Sequence, residues 1–170
     1  MRIRRHLPWA VLLLAAAGFV LLSGRDNGGS GGGSASATVT RVVDGDTVVV
    51  SLAGRSERVR FIGVDTPESV KPGTPVQCYA KAASAETEHL LDGRRVSLRY
   101  DAERRDRYGR LLAYVYRRDD GMFVNAELVQ RGYARTLTIP PNVAHADLFA
   151  RLAGDARRRA RGLWRACDVA

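Results

Sequence analysis

The chain has 170 residues, with 27 Lys and Arg against 18 Asp and Glu, a formal net charge of +9. This length accommodates one domain with a sizeable core and excludes two full domains. Residues 1–37 hold four Arg and one Asp, so the remainder keeps 23 basic against 17 acidic residues, or +6. A basic domain favours polyanionic partners such as nucleic acid, although the same charge also serves solubility.

The N-terminal segment predicts export. Three arginines in the first five residues precede an uncharged run at residues 7–24 and a Gly/Ser-rich linker at residues 25–36. Residues 1–24 are therefore either a secretory signal peptide or an N-terminal membrane anchor, which would tether the protein through residues 7–24. Because positive charge stays inside, we expect an extracytoplasmic domain in either case, secreted or anchored and facing outward.

The rest of the chain, residues 37–170, alternates strand and helix patterns. The predicted strands are 38–43, 47–52, 57–64, 94–100, 110–118 and 133–139. The predicted helices are 79–91, with Ala82, Ala85, Leu90 and Leu91 on the buried face, then 122–132 and 144–162. This order indicates an α+β fold. Five short strands with a helix between the third and fourth fit an OB-fold barrel.

The two cysteines, Cys78 and Cys167, are an even number in a domain that we expect to reach an oxidising compartment. Such a pair favours a disulfide, and two buried thiols are the alternative. The chain has no CxxC motif and no Cys/His spacing of the kind that holds zinc.

Acidic residues interrupt two apolar strands. The first stretch is "VVDGDTVVV", with Asp44 and Asp46, and the second is "RFIGVDTPE", with Asp65 and Glu68. Asp44 alone would be interpreted as a turn cap. If the strands pair as a meander, Asp46 and Asp65 approach each other, and adjacent carboxylates repel unless a cation or proton lies between them. Oxygen ligands of this kind suit Ca²⁺ or Mg²⁺ better than zinc.

Two arginines could complete a phosphate site. Arg60 precedes Asp65 on the same strand, and Arg110 opens a later strand. Together they could clamp an anionic phosphate, whereas either one alone would be interpreted as a surface charge. Glu68 could orient a water molecule as a base. Of the histidines, His89 and His145 lie on predicted helices, so a histidine-based phosphodiesterase site is not indicated.

Four motifs in order, "VVDGDTVVV", "VRFIGVDTPE", "DRYGRLLAYVY" and "NAELVQRGYA", resemble the staphylococcal nuclease (thermonuclease) family over about residues 37–165. The resemblance implies a five-stranded OB-fold barrel with three helices. It also implies a calcium-dependent, sugar-nonspecific nuclease that cleaves DNA and RNA and leaves 3′-phosphates. We expect a monomer.

The resemblance also assigns roles to individual residues. Asp46 and Asp65 match the calcium carboxylates, and Thr66 matches a ligand that uses its backbone carbonyl. Glu68 matches the glutamate near the attacking water. The remaining matches are the phosphate-binding arginines Arg60 and Arg110, the substrate-binding Tyr108 and Arg107, and Asp44 as an acid behind the metal ligands. The two cysteines resemble a pair in other extracellular bacterial relatives.

One segment departs from the family. Where the type member has a tyrosine-bearing segment near the nucleotide, this chain has "TLTIPPN", with Thr138 and Pro140.

Two further functions stay open: a catalytically silent OB-fold module that binds nucleic acid, and a surface-tethered structural domain. Silent members usually lack some of the acids or arginines, whereas this chain keeps all of them, and a structural domain leaves the clustered acids unexplained.

Overall fold

The computed structural model describes residues 33–69, 73 and 75–167. The predicted signal or anchor at residues 1–24 and most of the predicted linker lie outside the described residues. The first strand begins at Ser34, so the folded domain starts within the predicted linker and before residue 37. Among the described helices, none has the length and apolar character needed to cross a membrane.

The chain folds into seven strands and four helices within the described residues. In chain order they are β1 Ser34–Asp44, β2 Thr47–Leu52, β3 Arg55–Phe61, β4 Gly63–Asp65, α1 Ala80–Leu91, β5 Arg95–Arg99, β6 Leu111–Arg117, α2 Val124–Gln130, β7 Arg135–Leu137, α3 Ala146–Arg158 and α4 Leu163–Ala166.

Five of the strands form a closed barrel in the order β1-β2-β3-β6-β5, with β5 returning to β1. All neighbours are antiparallel except β3 and β6. Alternate side chains point into the barrel, so that Val48 and Val50 of β2 are fully buried while Ser51 is exposed. The predicted α+β class and five-stranded OB-type barrel are confirmed.

The predicted strand 57–64 is divided in two. After Phe61 the chain leaves the barrel at Ile62, and β4 pairs with β7 in a separate two-stranded sheet. Asn125 of α2 stabilises this break, because its side-chain amide donates to the Ile62 carbonyl over 2.9 Å and accepts from the Val115 amide over 2.9 Å. After the break, β4 leads the chain toward the turn between β1 and β2, where Asp46 accepts from the Thr66 amide.

The helices differ from the predictions in two respects. In α1 the buried side chains include Ala83 and Thr87, whereas Ala85 is exposed and Ala82 is only partly buried. Thr87 sets this rotation, since its hydroxyl donates to the Gly45 carbonyl over 2.7 Å. The predicted helix 144–162 is shorter in the structure, where α3 ends at Arg158. A fourth, one-turn helix that was not predicted, α4, follows at Leu163–Ala166.

The predicted disulfide is confirmed. Cys78 and Cys167 are bonded with their Cα atoms 5.9 Å apart, and they are separated by 89 residues in the sequence. The bond joins the segment before α1 to the end of α4. The alternative of two buried thiols is therefore wrong.

Candidate active site

The predicted catalytic and metal-binding residues lie together in one polar pocket of about 80 Å³. Its walls come from the turn between β1 and β2, the segment that follows β4, and the loop before β6. The lining residues are Asp44, Asp46, Thr47, Arg60, Asp65, Thr66, Pro67, Glu68 and Arg110. Residues that are more than 60 positions apart in the sequence thus face one small space.

Asp46 is the buried centre of the pocket, with 5% of its surface exposed. Its Oδ2 atom accepts from the backbone amide of Thr66 over 2.8 Å and from the Thr66 hydroxyl over 3.1 Å. Its Oδ1 atom accepts from the Thr47 hydroxyl over 3.1 Å and pairs with Nε of Arg60 over 3.1 Å. A buried carboxylate requires partners of this kind, so the position of Asp46 is fixed on both oxygens.

The close approach of the β1–β2 turn to Thr66 requires a glycine beside Asp46. A Cβ atom on Gly45 would lie 2.7 Å from Oγ1 of Thr66, which is closer than real contacts allow. The "DGD" motif therefore places Asp46 within reach of the segment that follows β4.

Arg60 joins the two predicted calcium carboxylates. The pairing of Thr47 with Arg60 between β2 and β3 places the guanidinium beside Asp46. Its Nη2 atom pairs with Oδ1 of Asp65 over 3.0 Å. Its Nη1 atom donates to the carbonyls of residues 61 and 64 over 3.0 and 2.7 Å. Arg60 therefore orients the acids and also fixes the backbone between β3 and β4.

The acids of this pocket carry negative charge that one arginine compensates only in part. Burial, reinforced by the charge of Asp46, raises the pKa of the Asp44 carboxyl to about 6. Burial also raises the pKa of the Asp65 carboxyl, against the opposing effect of Arg60. Both shifts mean that ionising these carboxyls costs more free energy than it does in water, and that a cation nearby would favour their charged forms.

The oxygen donors of the pocket decide whether it suits the predicted calcium ion. Within the described residues, no group of three or more His, Cys, Asp or Glu side chains has the arrangement of a metal site. The predicted set has two carboxylates and the Thr66 carbonyl, all hard oxygen donors of the type that calcium prefers. The raised pKa values of Asp44 and of the predicted ligand Asp65 mean that a cation nearby would favour their ionised forms. The residues therefore fit calcium by chemistry, with Arg60 now paired to both carboxylates.

Glu68 lines the same pocket. Its backbone amide donates to Oε1 of Gln77 over 2.9 Å, and the backbone amide of Gln77 donates to the Glu68 carbonyl over 3.0 Å. Gln77, three residues before the start of α1, thus holds the backbone that carries the predicted water-orienting carboxylate.

Arg110 is held by an acid that the sequence analysis missed. Oδ2 of Asp106 pairs with Nε of Arg110 over 2.7 Å, and Oδ1 accepts the backbone amides of Tyr108 and Arg110. Burial alone would raise the pKa of Asp106, but the hydrogen bonds and charge of Arg110 hold that pKa below its usual value. The available signal was the turn "DRYGR", in which an aspartate precedes the clustered functional residues by one to four positions.

Tyr108 and Arg107 form the outer edge of the site. Tyr108 is 68% exposed, and its hydroxyl accepts from Nη2 of Arg107 over 2.7 Å. The Arg107 guanidinium also lies 4.8 Å from the centre of the ring. An exposed tyrosine beside two arginines offers a nucleic acid both stacking and positive charge.

A second cavity of about 430 Å³ adjoins the first and shares Arg60 and Arg110 with it. Its walls include Leu137 and Ile139, which are 39% and 59% exposed. By the family resemblance, Thr138 and Pro140 stand in the segment where the type member has tyrosines near the nucleotide, and this stays a prediction. In the described structure the residues of this segment that line the cavity are Leu137 and Ile139. This part of the site is therefore aliphatic.

One family model and several known proteins match the sequence of this chain. A family model described as "Staphylococcal nuclease homologue" matches residues 58–166. The thermonuclease of Staphylococcus intermedius is 45% identical over 167 residues, which cover 94% of this chain and 98% of the relative. The thermonuclease of Staphylococcus hyicus is 43% identical over 74% of this chain and 73% of its own length. The SPbeta prophage-derived endonuclease YokF of Bacillus subtilis is 39% identical over 75% of this chain, but only 43% of its own length.

Proposed function

This chain belongs to the staphylococcal nuclease family, and we propose that it is a calcium-dependent nuclease acting on both DNA and RNA. It hydrolyses phosphodiester bonds without selecting the sugar and leaves 3′-phosphate products. The observation that carries the proposal is the convergence of Asp46, Asp65, Glu68 and two arginines on one pocket.

Each residue has a defined task in this reaction. Asp46, Asp65 and the Thr66 carbonyl would hold the calcium ion, which when bound supplies positive charge to a phosphate oxygen. Arg60 and Arg110 bind the other phosphate oxygens and stabilise the negative charge that grows in the transition state. Glu68 orients the attacking water and accepts its proton. A 3′-phosphate product means that the bond between phosphorus and the 5′ oxygen breaks.

A cleavage assay with a matched variant tests the metal assignment. Plasmid and single-stranded DNA are incubated with calcium, with magnesium and with chelator. We expect cleavage in calcium, little cleavage in magnesium because it demands stricter octahedral geometry, and none in chelator. Asp46→Asn should weaken calcium binding and cleavage with the fold retained. Asp119→Asn, at an exposed ion pair with Arg94, is the control. Full cleavage in chelator would contradict the metal assignment.

The same assay distinguishes the alternative function. A catalytically silent module would retain single-stranded DNA in a gel shift but leave it uncut under every metal condition. Product ends test the chemistry, because a 5′-hydroxyl product accepts a labelled phosphate from a kinase without prior dephosphorylation. Labelling only after phosphatase treatment would contradict the proposed position of cleavage.

The protein is further proposed to act outside the cytoplasm, as a monomer, after export through residues 1–24. The disulfide supports this location, since structural disulfides persist in oxidising compartments and are rare in the cytosol. Fractionation of expressing cells, with N-terminal sequencing of the exported chain, separates a cleaved signal from a retained anchor. Recovery of the full chain from the cytosol alone would contradict export.

A further inference from the structure

The segment between β4 and α1 is closed at its base by a reciprocal pair of hydrogen bonds. Glu68 donates to the side chain of Gln77 over 2.9 Å, and Gln77 donates from its backbone to Glu68 over 3.0 Å. Glu68 is thus held from one side by Gln77. From the other side it is held through Thr66, whose amide and hydroxyl are bound to Asp46.

The bond to the Gln77 side chain is exposed to solvent, so water competes for it. An exposed hydrogen bond contributes little by itself unless its partners are already held together. Gln77 is therefore a useful brace for Glu68 only if something else fixes its position. The next residue along the chain provides that fixation.

Cys78, directly after Gln77, is bonded to Cys167 at the end of α4. The helix α4 is itself well anchored, since Leu163 is fully buried and its amide donates to the Gly132 carbonyl over 2.8 Å. Gly162 packs so closely that a Cβ there would lie 2.3 Å from that same oxygen. The disulfide therefore attaches Gln77 to the rigid body of the domain.

We infer that Gln77 and the Cys78–Cys167 disulfide together position Glu68, so that turnover depends on the oxidation state of the two cysteines. The inference rests on the proposed role of Glu68 and adds a positioning residue and a covalent tie to it. With the disulfide formed, the backbone of Glu68 is fixed at both ends and its carboxylate is aimed into the pocket. With two thiols, Gln77 exchanges its bonds for water and Glu68 samples other orientations.

The covalent change is a two-electron exchange. A dithiol reductant supplies two electrons and two protons, the S–S bond is replaced by two S–H bonds, and the reductant becomes a cyclic disulfide. Because Cys78 is exposed, a reductant reaches this bond in the folded protein.

The first test leaves the disulfide intact. In the full exported chain with calcium and single-stranded DNA, Gln77→Ala should lower kcat about fivefold, the effect of losing one hydrogen bond, with KM unchanged. Gln77→Glu keeps the accepting oxygen and should restore kcat in large part. Gln130→Ala, which removes another exposed glutamine at the end of α2, is the matched control and should change neither constant.

The second test asks whether the effect passes through Glu68. Gln77→Ala and reduction by a dithiol are each repeated in the Glu68→Gln background, well below the unfolding temperature. If both act by positioning the carboxylate, neither should lower kcat further there. If kcat fell by the same factor in both backgrounds, the effect would be a general structural one and the inference would be overturned.

The outcomes separate the two claims. If Glu68→Gln is slow but Gln77→Ala leaves the kcat of the parent unchanged, only the inference is overturned. Normal kcat in Glu68→Gln overturns the proposed role of Glu68, and the inference with it. Full kcat in the reduced parent overturns the link to oxidation, whatever the result for Gln77.

Discussion

Replacing Arg60 by lysine tests the centre of the site most directly. The Arg60 side chain is 14% exposed and pairs with both Asp46 and Asp65 while donating to two backbone carbonyls. A lysine keeps the charge but loses the planar fork, so it cannot hold both carboxylates in this geometry. Losing two such contacts, each of about 1 to 2 kcal/mol, should lower the free energy of unfolding by about 2 to 4 kcal/mol.

Turnover should fall further than this loss of stability explains. Removing one preorganised donor from a transition state costs about 10²-fold in kcat, so we expect that loss or more for Arg60→Lys, with KM little changed. Urea unfolding and initial rates on single-stranded DNA measure the two effects separately. Arg55→Lys, at the exposed start of β3, is the control. Normal kcat in Arg60→Lys would show that the arginine only neutralises buried acids.

Three further changes have expected outcomes. Asn125→Ala leaves a buried amide and a buried carbonyl without their side-chain partner, so the free energy of unfolding in urea should fall by about 2 to 6 kcal/mol. An unchanged unfolding midpoint would contradict the bridging role. Reduction of Cys78–Cys167 frees a loop of 89 residues and should lower the free energy of unfolding by up to about 4 to 5 kcal/mol, which is measured as a lower Tm. An unchanged Tm would contradict this expectation. Leu137→Tyr should lower KM on single-stranded DNA through stacking worth about 1 to 3 kcal/mol, with kcat unchanged. Thr138→Tyr, which does not reach the second cavity, should leave KM unchanged, and an equal effect of both would refute the assigned register.

The barrel and the central residues of the site could be predicted because their signals are local. The run of β-branched residues in "TVVVSL", bounded by turn residues, marks a strand, and the acids that interrupt such strands stand out against it. Asp46 and Asp65 belong to contiguous motifs, so their neighbourhood follows from a meander of short strands. No long-range contact had to be known to identify them.

The wrong buried face of α1 and the open orientation of the segment 133–139 both arise where tertiary pairing decides the outcome. Which residues of the segment 133–139 face the second cavity depends on the register of β7 against β4, where Leu137 pairs with Gly63. A shift of one residue exchanges the two faces of a strand, and the sequence of the segment does not fix that register. In α1 the abundance of alanine leaves the buried face ambiguous, and the bond from Thr87 to Gly45 decides it.

The polar residues that brace the site could not be predicted, since their partners are distant. Gln77 and Asn125 look like ordinary surface positions in the sequence, yet Asn125 is fully buried. Each becomes informative only when its hydrogen-bond partners are known: the backbone of Glu68 for Gln77, and the strand break at Ile62 for Asn125.

The contacts of the Arg60 guanidinium lead us to expect that the proposed calcium ion and the substrate bind cooperatively. A guanidinium has five N–H donors. Three of those of Arg60 donate to Asp65 and to two carbonyls, and Nε lies in an ion pair 3.1 Å from Oδ1 of Asp46, so at most two remain for a phosphate. A cation on the two carboxylates would compensate their charge and free the donors that now serve them. Each ligand should then tighten the binding of the other by the same factor. Titration of a 3′-phosphorylated oligonucleotide, which mimics the product, with and without calcium measures that factor by calorimetry. Arg60→Lys should reduce it, and an equal Kd with and without calcium in the parent would refute the coupling.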